Sequence, residues 1–522
     1  MSYAHAAFQN STQCCGGVAA TPVSLPTQRQ AIRVMIVGVG PHAQRTYIPH
    51  LKRLAARFAV SLPVVVDVQA KEVALRKYFA DTLPEVEFLF APKFQDVMPD
   101  ATRQDLDRLV RQHRINAVIV STEPLAHKVY TLWALSRGLH VMLDKPITTR
   151  PNVVSDLTQA LGIEQDYLDI LAAYERLQNE RETCLVVNSH RRFHPGFAKV
   201  LELIREIRDQ FHCPVTSVRS FHADGQWRLP AEIAHQDYHP YNQGYGKVSH
   251  SGYHILDAVY RFFQAGAIAG KSPDELRLCS SFVQPAGFLK QLTEQDYRAY
   301  FGPQYDDARR QAGQFYSDAQ LESLLADHGE MDAQALLQLT AAGVPVAQAN
   351  ITLLHNSFSR RTWVRPGADL YKGNGRVKHE EHYIALGPFR TIMVQSYQAN
   401  DKHDRCAEDD FAFGGNNHFD IHVFDNSGMM PDPPARPLRT VSQRDLTATA
   451  SYDAGKLYTE QVKEHGLVEF LGYVAGELSK SELSSNITDH QIPMQMMSAF
   501  YASHILSQRG ENPWVRRAWQ LC

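Results

Sequence analysis

The stretch 31-AIRVMIVGVGPHA-43 decides the fold. It begins with a run of mostly apolar residues, as a buried strand does, and the glycines that follow end the run. The next segment, PHAQRTYIPHLKRLAARF, carries apolar residues at helical spacing. A buried strand, a glycine-rich turn and a helix in direct succession are typical of the first unit of a parallel, doubly wound sheet.

The turn between strand and helix has the arrangement G-x-G-x-x-A. In dinucleotide-binding domains the first glycine allows a tight turn and the second lets the backbone approach a pyrophosphate. The third small residue lets the helix pack closely on the strand. A plain strand-to-helix turn is the alternative interpretation of so short a motif. The residues expected to contact a nicotinamide dinucleotide here are Gly38, Gly40, His42 and Ala43.

The second predicted strand, VSLPVVVDV, carries Asp67 near its end. An acid at this place accepts hydrogen bonds from the adenosine ribose and repels a 2'-phosphate. Asp67 follows Gly40 by 27 residues, whereas the usual interval is about 20, and a long first helix accounts for the difference. Asp67 therefore favours NAD and leaves NADP open, and a merely solvated acid is the alternative.

Strand and helix patterns alternate up to about residue 150, and later strands are separated by irregular segments. We predict an α/β protein with an N-terminal Rossmann domain, a doubly wound parallel sheet, over residues 31–150. An α+β domain with an open, mainly antiparallel sheet is expected over 151–522. Residues 1–30 are expected to form a flexible tail. Residues 268–345, rich in Asp, Gln, Ala and Leu, are expected to form a helical insertion.

Composition limits the classes of function. The chain has 522 residues, 44% hydrophobic and 21% charged, with a formal net charge of -3. Such a balance does not favour nucleic acid or an anionic membrane as a partner. No apolar run approaches the roughly 18 to 20 residues that span a bilayer. Seven cysteines without CxxC spacing and a start unlike a secretory signal favour the cytoplasm.

Three further segments carry a resemblance to a known family. They are VIVSTEPLAHKVYTLWALSRGLHVMLDKP, VVNSHRRFHPGF and SHSGYHILDAVYRF, all between residue 31 and about 265. In content and order they resemble the Gfo/Idh/MocA oxidoreductases, which include glucose-fructose oxidoreductase and inositol 2-dehydrogenase. The family has T-x-P, an early helical His, E-K-P, R-R-F-x-P and D-x-G-x-H-x-x-D at these places. The matching residues here include Thr122, Pro124, His127, Lys145, Pro146, Arg191, Arg192, Phe193, Pro195, Gly252, His254 and Asp257.

The resemblance implies roles for particular residues. It places Lys145 beside the nicotinamide, where it hydrogen-bonds cofactor and substrate hydroxyl. It makes His254 the general acid/base, with His250 beside it, because oxidation of a secondary alcohol needs a base for the hydroxyl proton. Expected cofactor contacts are also Ser121, Thr122, Pro124, His127, Asp144 and Lys145. Arg192 and Asp257 are expected substrate contacts, and the polar and aromatic run 222–254, whose groups suit a polyol, adds Tyr241, Lys247 and Tyr253.

Two positions depart from the family pattern. Asp144 stands where the family has Glu, and it is a shorter acid of the same charge. His250 stands where the family has Asp, which removes a carboxylate that often binds substrate hydroxyls. We expect a changed substrate or an altered proton path from the second change, and loss of activity is the extreme case.

The predicted function is hydride transfer between a nicotinamide cofactor and a hydroxyl-bearing carbon of a sugar, sugar derivative or cyclitol. A homo-oligomer, dimer or tetramer, is expected, with no membrane or nucleic-acid partner and no bound metal. The alternatives are an NAD-dependent glycosidase of the same family, a catalytically silent cofactor or sugar sensor, and a metal-dependent hydrolase. The last would use the HxxxH pairs His235/His239 or His250/His254, whose spacing places two imidazoles on one side of a helix.

Overall fold

A computed structural model of the chain describes residues 31–234, 236, 241–311, 316–360, 375–400, 406–447 and 458–519. The described residues form a six-stranded sheet followed by a nine-stranded sheet. Both sheets contribute to one hydrophobic core, which contains Met35 and Leu143 from the first and Leu278 and Ile384 from the second. The predicted α/β class, with a Rossmann-like sheet before a second sheet, is confirmed.

The first sheet is parallel throughout, with strand order β3-β2-β1-β4-β5-β6. Its central strands are apolar and fully buried because helices cover both faces. The order reverses between β1 and β4, and this switch opens a crevice at the carboxyl ends of the strands. The elements are β1 (Ile32–Val37), α1 (Pro41–Arg45), α2 (Tyr47–Phe58), β2 (Val60–Val68), α3 (Glu72–Ala80), β3 (Glu87–Ala91), α4 (Asp100–His113), β4 (Ala117–Val120), α5 (His127–Ser136), β5 (His140–Leu143), α6 (Leu157–Glu180) and β6 (Leu185–Val187).

The parallel sheet extends past residue 150, where the sequence predicts its end. The long helix α6 crosses over and returns the chain as β6, which pairs in parallel with β5. A parallel partner needs such a crossover, and the sequence shows the helix and the strand but not their pairing. The first helix pattern also divides into α1 and α2, which meet at Thr46.

The second sheet has the order β14-β13-β12-β11-β7-β10-β9-β8-β15. All neighbours are antiparallel except β7 and β10. The elements are α7 (Pro195–Phe211), β7 (Ser217–Gln226), α8 (Pro230–Ala234), α9 (Tyr253–Ala265), β8 (Glu275–Val283), α10 (Pro285–Phe288), α11 (Glu294–Phe301), α12 (Pro303–Gln311), α13 (Asp318–Leu325), β9 (Asp332–Ala341), β10 (Val344–Asn356), β11 (Lys378–Leu386), β12 (Arg390–Gln398), β13 (Asp420–Asp425), β14 (Leu438–Ser442), α14 (Gln443–Thr447), α15 (Tyr458–Val474), α16 (Gln491–Gln508) and β15 (Val515–Ala518).

The stretch 268–345, predicted as a helical insertion, contains strands at both ends. β8 and β9 pair with each other there, and the helices α10 to α13 lie between them. In both strands buried and more exposed residues alternate, the period of a half-buried strand. The abundance of Ala, Gln and Leu obscured this alternation, because composition does not reveal the period of a pattern.

C-terminal helices complete the packing of both sheets. α16 is buried along nearly its whole length and packs against α6 and β8. α15 packs against α2 and contributes Val462, Phe470 and Leu471 to the core on the outer face of the parallel sheet. Residues far along the chain therefore lie next to the Rossmann-like sheet.

A buried ion pair joins the two regions. Arg192 and Asp257 each have side chains only 1% exposed, and the Arg192 Nη2 lies 2.7 Å from the Asp257 Oδ1. The Ser189 hydroxyl donates to the same carboxylate at 2.5 Å, and Arg192 also donates to the carbonyl of Asp489 at 3.0 Å. Burial opposes ionisation, but the Arg192 charge holds the pKa of Asp257 well below its ordinary value.

We expect Asp257→Asn to destabilise the protein by about 3–5 kcal/mol, because the buried guanidinium then loses its counter-ion. Chemical denaturation measures the free energy of unfolding. Asp209→Asn is the matched control, since Asp209 pairs with Arg208 at an exposed site and its loss should leave stability unchanged. Equal stability of the Asp257 variant and the wild type would contradict the structural role.

Candidate active site

A cavity of about 720 Å³ lies between the carboxyl ends of the parallel strands and the second sheet. The turns after β1, β4 and β5 contribute one side, including Gly40, Ser121 and Lys145. Residues of β7 and α9, including Asp224 and His254, contribute the other. Ligands of doubly wound sheets bind outside the carboxyl ends of the strands, and this cavity is in that position.

The glycine-rich turn enters one end of the cavity. Gly38 has φ +88°, and a Cβ there would lie 2.6 Å from the Ser121 carbonyl carbon. A Cβ on Gly40 would meet no protein atom within 4 Å. Gly38 is therefore required by the turn itself, whereas the open side of Gly40 has the space that a pyrophosphate needs.

Asp67 lies next to this turn, with its carboxylate held by the backbone. The Val39 N–H donates to Oδ2 and the Val68 N–H to Oδ1, both at 2.7 Å. The Lys71 ammonium is 3.5 Å from Oδ1. A carboxylate accepts about four hydrogen bonds, so Asp67 keeps capacity for ribose hydroxyls. The turn and this acid together fit the adenosine and pyrophosphate of NAD.

Asp144 is turned into the protein. Ser121 Oγ donates to it at 2.6 Å, the Tyr47 hydroxyl donates as well, and Asn188 Nδ2 donates at 3.1 Å. Burial opposes ionisation, yet His42 and the hydrogen bonds hold the pKa of Asp144 below its ordinary value. Asp144 therefore holds the end of β5 in place. Its side chain is shorter than the Glu of the family pattern and still reaches its three hydrogen-bond partners.

Lys145 follows and faces the cavity. Its ammonium donates to the His250 carbonyl at 3.1 Å, and a cis peptide bond joins it to Pro146. Burial lowers the pKa of Lys145 to about 8. His127 lies beneath, with its ring between the carbonyls of Pro146 and Thr122 at 2.8 and 3.1 Å. His127 thereby links the turn after β4 with the turn after β5.

His254 reaches the cavity from α9. Its ring lies 3.9 Å from that of His190, centroid to centroid. Its buried Nδ1 has no hydrogen-bond partner among the described residues. Burial, followed by the charges or partial charges of His190, Arg191 and Lys145, lowers the pKa of His254 well below its ordinary value. The imidazole is therefore neutral near pH 7.

His250 lies on a π-helical turn, Val248–Gly252, directly before α9. Its ring packs edge-on against Tyr241 and Tyr245, at centroid distances of 5.3 and 5.2 Å. It lines the cavity and supplies the carbonyl that holds Lys145. His250 thus holds Lys145 through its backbone carbonyl and contributes no side-chain carboxylate at this position.

Sequence reasoning missed Asp224, a carboxylate on β7. It lies 2.9 Å from the Lys247 ammonium and 3.0 Å from His355 Nδ1, and Ser251 donates to it at 3.2 Å. Burial raises the pKa of Asp224, but Lys247 and the histidine hold it well below its ordinary value. Its signal in the sequence is an acid within the strand pattern SVRSFHADGQ.

The expected contacts divide into two groups. The residues that line the cavity are Gly38, Gly40, His42, Asp67, Ser121, Thr122, Pro124, Asp144, Lys145, His250 and His254. The residues that do not line it are Ala43, His127, Arg192, Tyr241, Lys247, Tyr253 and Asp257. Lys247 pairs with Asp224, and the Tyr253 hydroxyl is 2.8 Å from His490 Nδ1. Arg192 and Asp257 pair with each other, whereas the buried Tyr241 hydroxyl has no hydrogen-bond partner among the described residues.

The metal alternative receives no support from the described part of the chain. His235 and His239 lie outside the described residues. Among those described, no group of three or more His, Cys, Asp or Glu side chains is placed to hold a metal ion. No described helix combines the length and the apolar character needed to cross a membrane.

Known proteins similar to this chain include a family and several solved structures. Residues 32–168 match the Gfo/Idh/MocA model described as "Oxidoreductase family, NAD-binding Rossmann fold". An NAD-binding oxidoreductase from Klebsiella pneumoniae is 14% identical with a TM-score of 0.53, covering 94% of this chain and 100% of that one. A search of curated proteins found no match.

Two similar structures contain a reduced cofactor and a sugar. Levoglucosan dehydrogenase, in complex with NADH and levoglucosan, is 11% identical with a TM-score of 0.52, covering 94% of this chain and 99% of that one. The WlbA dehydrogenase from Bordetella pertussis, in complex with NADH and UDP-GlcNAcA, is 13% identical with a TM-score of 0.51, covering 94% and 100%. At these identities the likeness is one of fold.

The motifs, the strand order and the family model agree. They confirm the predicted family, its oxidoreductase class and NAD as the cofactor for which the Rossmann domain is built. Residues 32–168 of the chain are thus similar to the NAD-binding Rossmann domain of the Gfo/Idh/MocA oxidoreductase family.

Proposed function

We propose that the protein moves a hydride between a nicotinamide cofactor and a hydroxyl-bearing carbon of a sugar, sugar derivative or cyclitol. The observation that carries the proposal is that Lys145 and His254 line the same cavity as the glycine-rich turn and Asp67. The sugars in the complexes of levoglucosan dehydrogenase and WlbA support the substrate class.

The cofactor site extends along the carboxyl edge of the parallel sheet. Gly40 provides space for the pyrophosphate, and Asp67 accepts hydrogen bonds from the adenosine ribose. Lys145, three strands away from Asp67 in the sheet order, marks the opposite end. When bound, the cofactor supplies a carbon that accepts or donates the hydride.

His254 is the group that takes the hydroxyl proton during oxidation. It is neutral because its pKa is depressed, and its buried Nδ1 has no partner among the described residues. A positioned neutral imidazole is a competent general base, and such groups contribute about 10²–10⁴-fold to rate. In the reverse reaction the same ring returns the proton.

Lys145 stabilises the oxygen as its proton leaves. An ammonium held in a buried site acts strongly on a developing alkoxide because water does not screen the charge. The His250 carbonyl holds the ammonium in place at 3.1 Å. Lys145 thus polarises the oxygen and His254 moves the proton.

Substitution of Lys145 tests this assignment. With NAD and a panel of sugars, acidic sugars and inositols, we expect the wild type to produce NADH, and Lys145→Ala to lower kcat by about 10²-fold or more. Lys52→Ala, an exposed lysine on α2, should retain full activity. Absence of NADH formation with every substrate, or full activity of the Lys145 variant, would contradict the proposal.

The pH dependence of oxidation provides a second test. Because the pKa of Lys145 is lowered to about 8, its ammonium is present below that pH and is lost above it. We expect initial-rate kcat/KM to fall as the pH rises through about 8. In Lys145→Arg any remaining activity should persist to higher pH, since a guanidinium stays protonated. A fall at the same pH in both proteins would exclude Lys145 as its cause.

The glycine turn tests the cofactor site separately. Gly40→Ala should keep its melting temperature, because the new methyl group meets no protein atom, but should weaken NADH binding by about tenfold or more. Gly38→Ala should instead lower stability by about 1–3 kcal/mol through strain at positive φ. Thermal melts and NADH fluorescence titrations measure both effects. Unchanged NADH affinity in Gly40→Ala would place the pyrophosphate elsewhere.

A further inference from the structure

Basic side chains outnumber acidic ones along the cavity. Among the described residues that line it, eight are lysine or arginine and five are aspartate or glutamate. The basic residues are Arg45, Lys71, Lys93, Lys145, Arg191, Arg376, Lys378 and Lys463. The acidic residues are Asp67, Glu123, Asp144, Asp224 and Glu380. A cavity with this excess attracts negative charge.

The acidic residues already have partners in the protein. Four are paired with lining cations, and the pairs are Lys71–Asp67, Lys93–Glu123, Arg191–Glu380 and Arg376–Asp224. Asp224 also lies 2.9 Å from the buried Lys247, which is not one of the lining cations. Asp144 accepts hydrogen bonds from Ser121, Tyr47 and Asn188. Little carboxylate charge is left for the remaining cations.

Lys378 and Lys463 are two such cations. Lys378 begins β11 and Lys463 lies on α15, and both are half-buried. Neither makes an ion pair or a side-chain hydrogen bond within the described part of the chain. The charge of Arg376, then burial and the charge of Lys463, lower the pKa of Lys378 to about 7. Lys463 is thus one of the charges that act on Lys378, and both side chains line the same cavity.

The charges of the two lysines act along the cavity: Lys463 acts on Lys145, and Arg45 of α1 acts on both Lys378 and Lys463. After burial and Asp144, Lys463 is the next charge that acts on the pKa of Lys145. Arg376, which repels Lys378, donates from Nε to the Asp224 carbonyl at 2.8 Å. Asp224 in turn binds Ser251, three residues before His254. Lys463 therefore acts on Lys145, one of the groups proposed to handle substrate, and Lys378 lies in the same cavity.

We propose that Lys378 and Lys463 bind an anionic group of the substrate, a carboxylate or a phosphate, so that the enzyme acts on acidic sugars. This inference rests on the proposed function, because it places the substrate in the same cavity. A neutral sugar would leave two partly desolvated ammonium groups without a counter-charge, which is costly. An anionic oxygen would form charge-assisted hydrogen bonds with both.

Binding of matched sugars to the NADH complex tests the inference. The probes are D-glucose, D-glucuronate and D-glucose 6-phosphate, measured by titration calorimetry, and no turnover occurs because the cofactor is already reduced. We expect at least one acidic sugar to bind about tenfold or more tightly than glucose. Whichever of the two acidic sugars binds more tightly shows whether the site prefers a carboxylate or a phosphate. Its affinity should fall with added salt, while that of glucose should not.

Charge-neutralising variants localise the effect. Lys378→Gln and Lys463→Gln should each weaken the acidic sugar by about tenfold and leave the affinities for glucose and NADH unchanged. Lys52→Gln removes an exposed lysine of α2 and should change none of them. Melting temperatures check that the variants fold. The salt dependence of acidic-sugar binding to the wild type tests the inference without any variant.

The outcomes separate this inference from the proposed function. If the wild type binds NADH but shows no preference for either acid, or binds neither acid, the inference is overturned and the proposed function stands. If the lysine variants weaken NADH instead of the acid, the cations serve the pyrophosphate and the inference is again overturned. If the wild type does not bind NADH, the proposed function fails, and the inference fails with it.

Discussion

The site depends on the hydrogen bonds that hold Asp144 at the end of β5. A buried carboxylate is stable only when its oxygens are satisfied, and here Ser121, Tyr47 and Asn188 satisfy them. These partners come from the turn after β4, from α2 and from the segment after β6. Three elements of the first domain are thereby held together beneath the cavity. The next residue, Lys145, is left to face the ligand.

The cavity combines two kinds of basic group in different states. Three of its histidines, His190, His222 and His254, have pKa values well below the ordinary value because burial disfavours their charged forms. Its lysines start from a much higher ordinary pKa, so Lys145 keeps its charge near neutral pH even though burial lowers that pKa to about 8. The cavity therefore contains both a neutral proton acceptor and a cation. Oxidation of an alcohol uses the first to take the hydroxyl proton and the second to stabilise the oxygen.

Much of the first half of the site was predictable because its signals are local. Gly38, Asp67 and Lys145 each lie directly at the end of a predicted strand, and parallel strands bring such ends to one edge. The second half depends on contacts across long sequence separations. Nothing near Asp224 in the sequence indicates that Lys247 and His355 will meet it. Lys378 of β11 and Lys463 of α15 lie far along the chain, yet both line the cavity.

Several of the expected substrate contacts do not line the cavity, and the reason is again a contact between residues far apart in the sequence. The motif around His254 contains several polar residues on one helix, and the sequence does not reveal which of them meet a ligand. Asp257 meets Arg192, and Tyr253 meets His490, so both are satisfied within the protein. Pairing of buried polar groups is the general rule in folded proteins, and it removed these residues from the cavity.

The most direct test of the account is a crystal structure of the NADH complex. We expect an extended cofactor with its adenosine ribose at Asp67, its pyrophosphate beside Gly40, and its nicotinamide ring next to Lys145 and His254. An NADH molecule bound outside this cavity, or with its nicotinamide ring remote from both side chains, would contradict it.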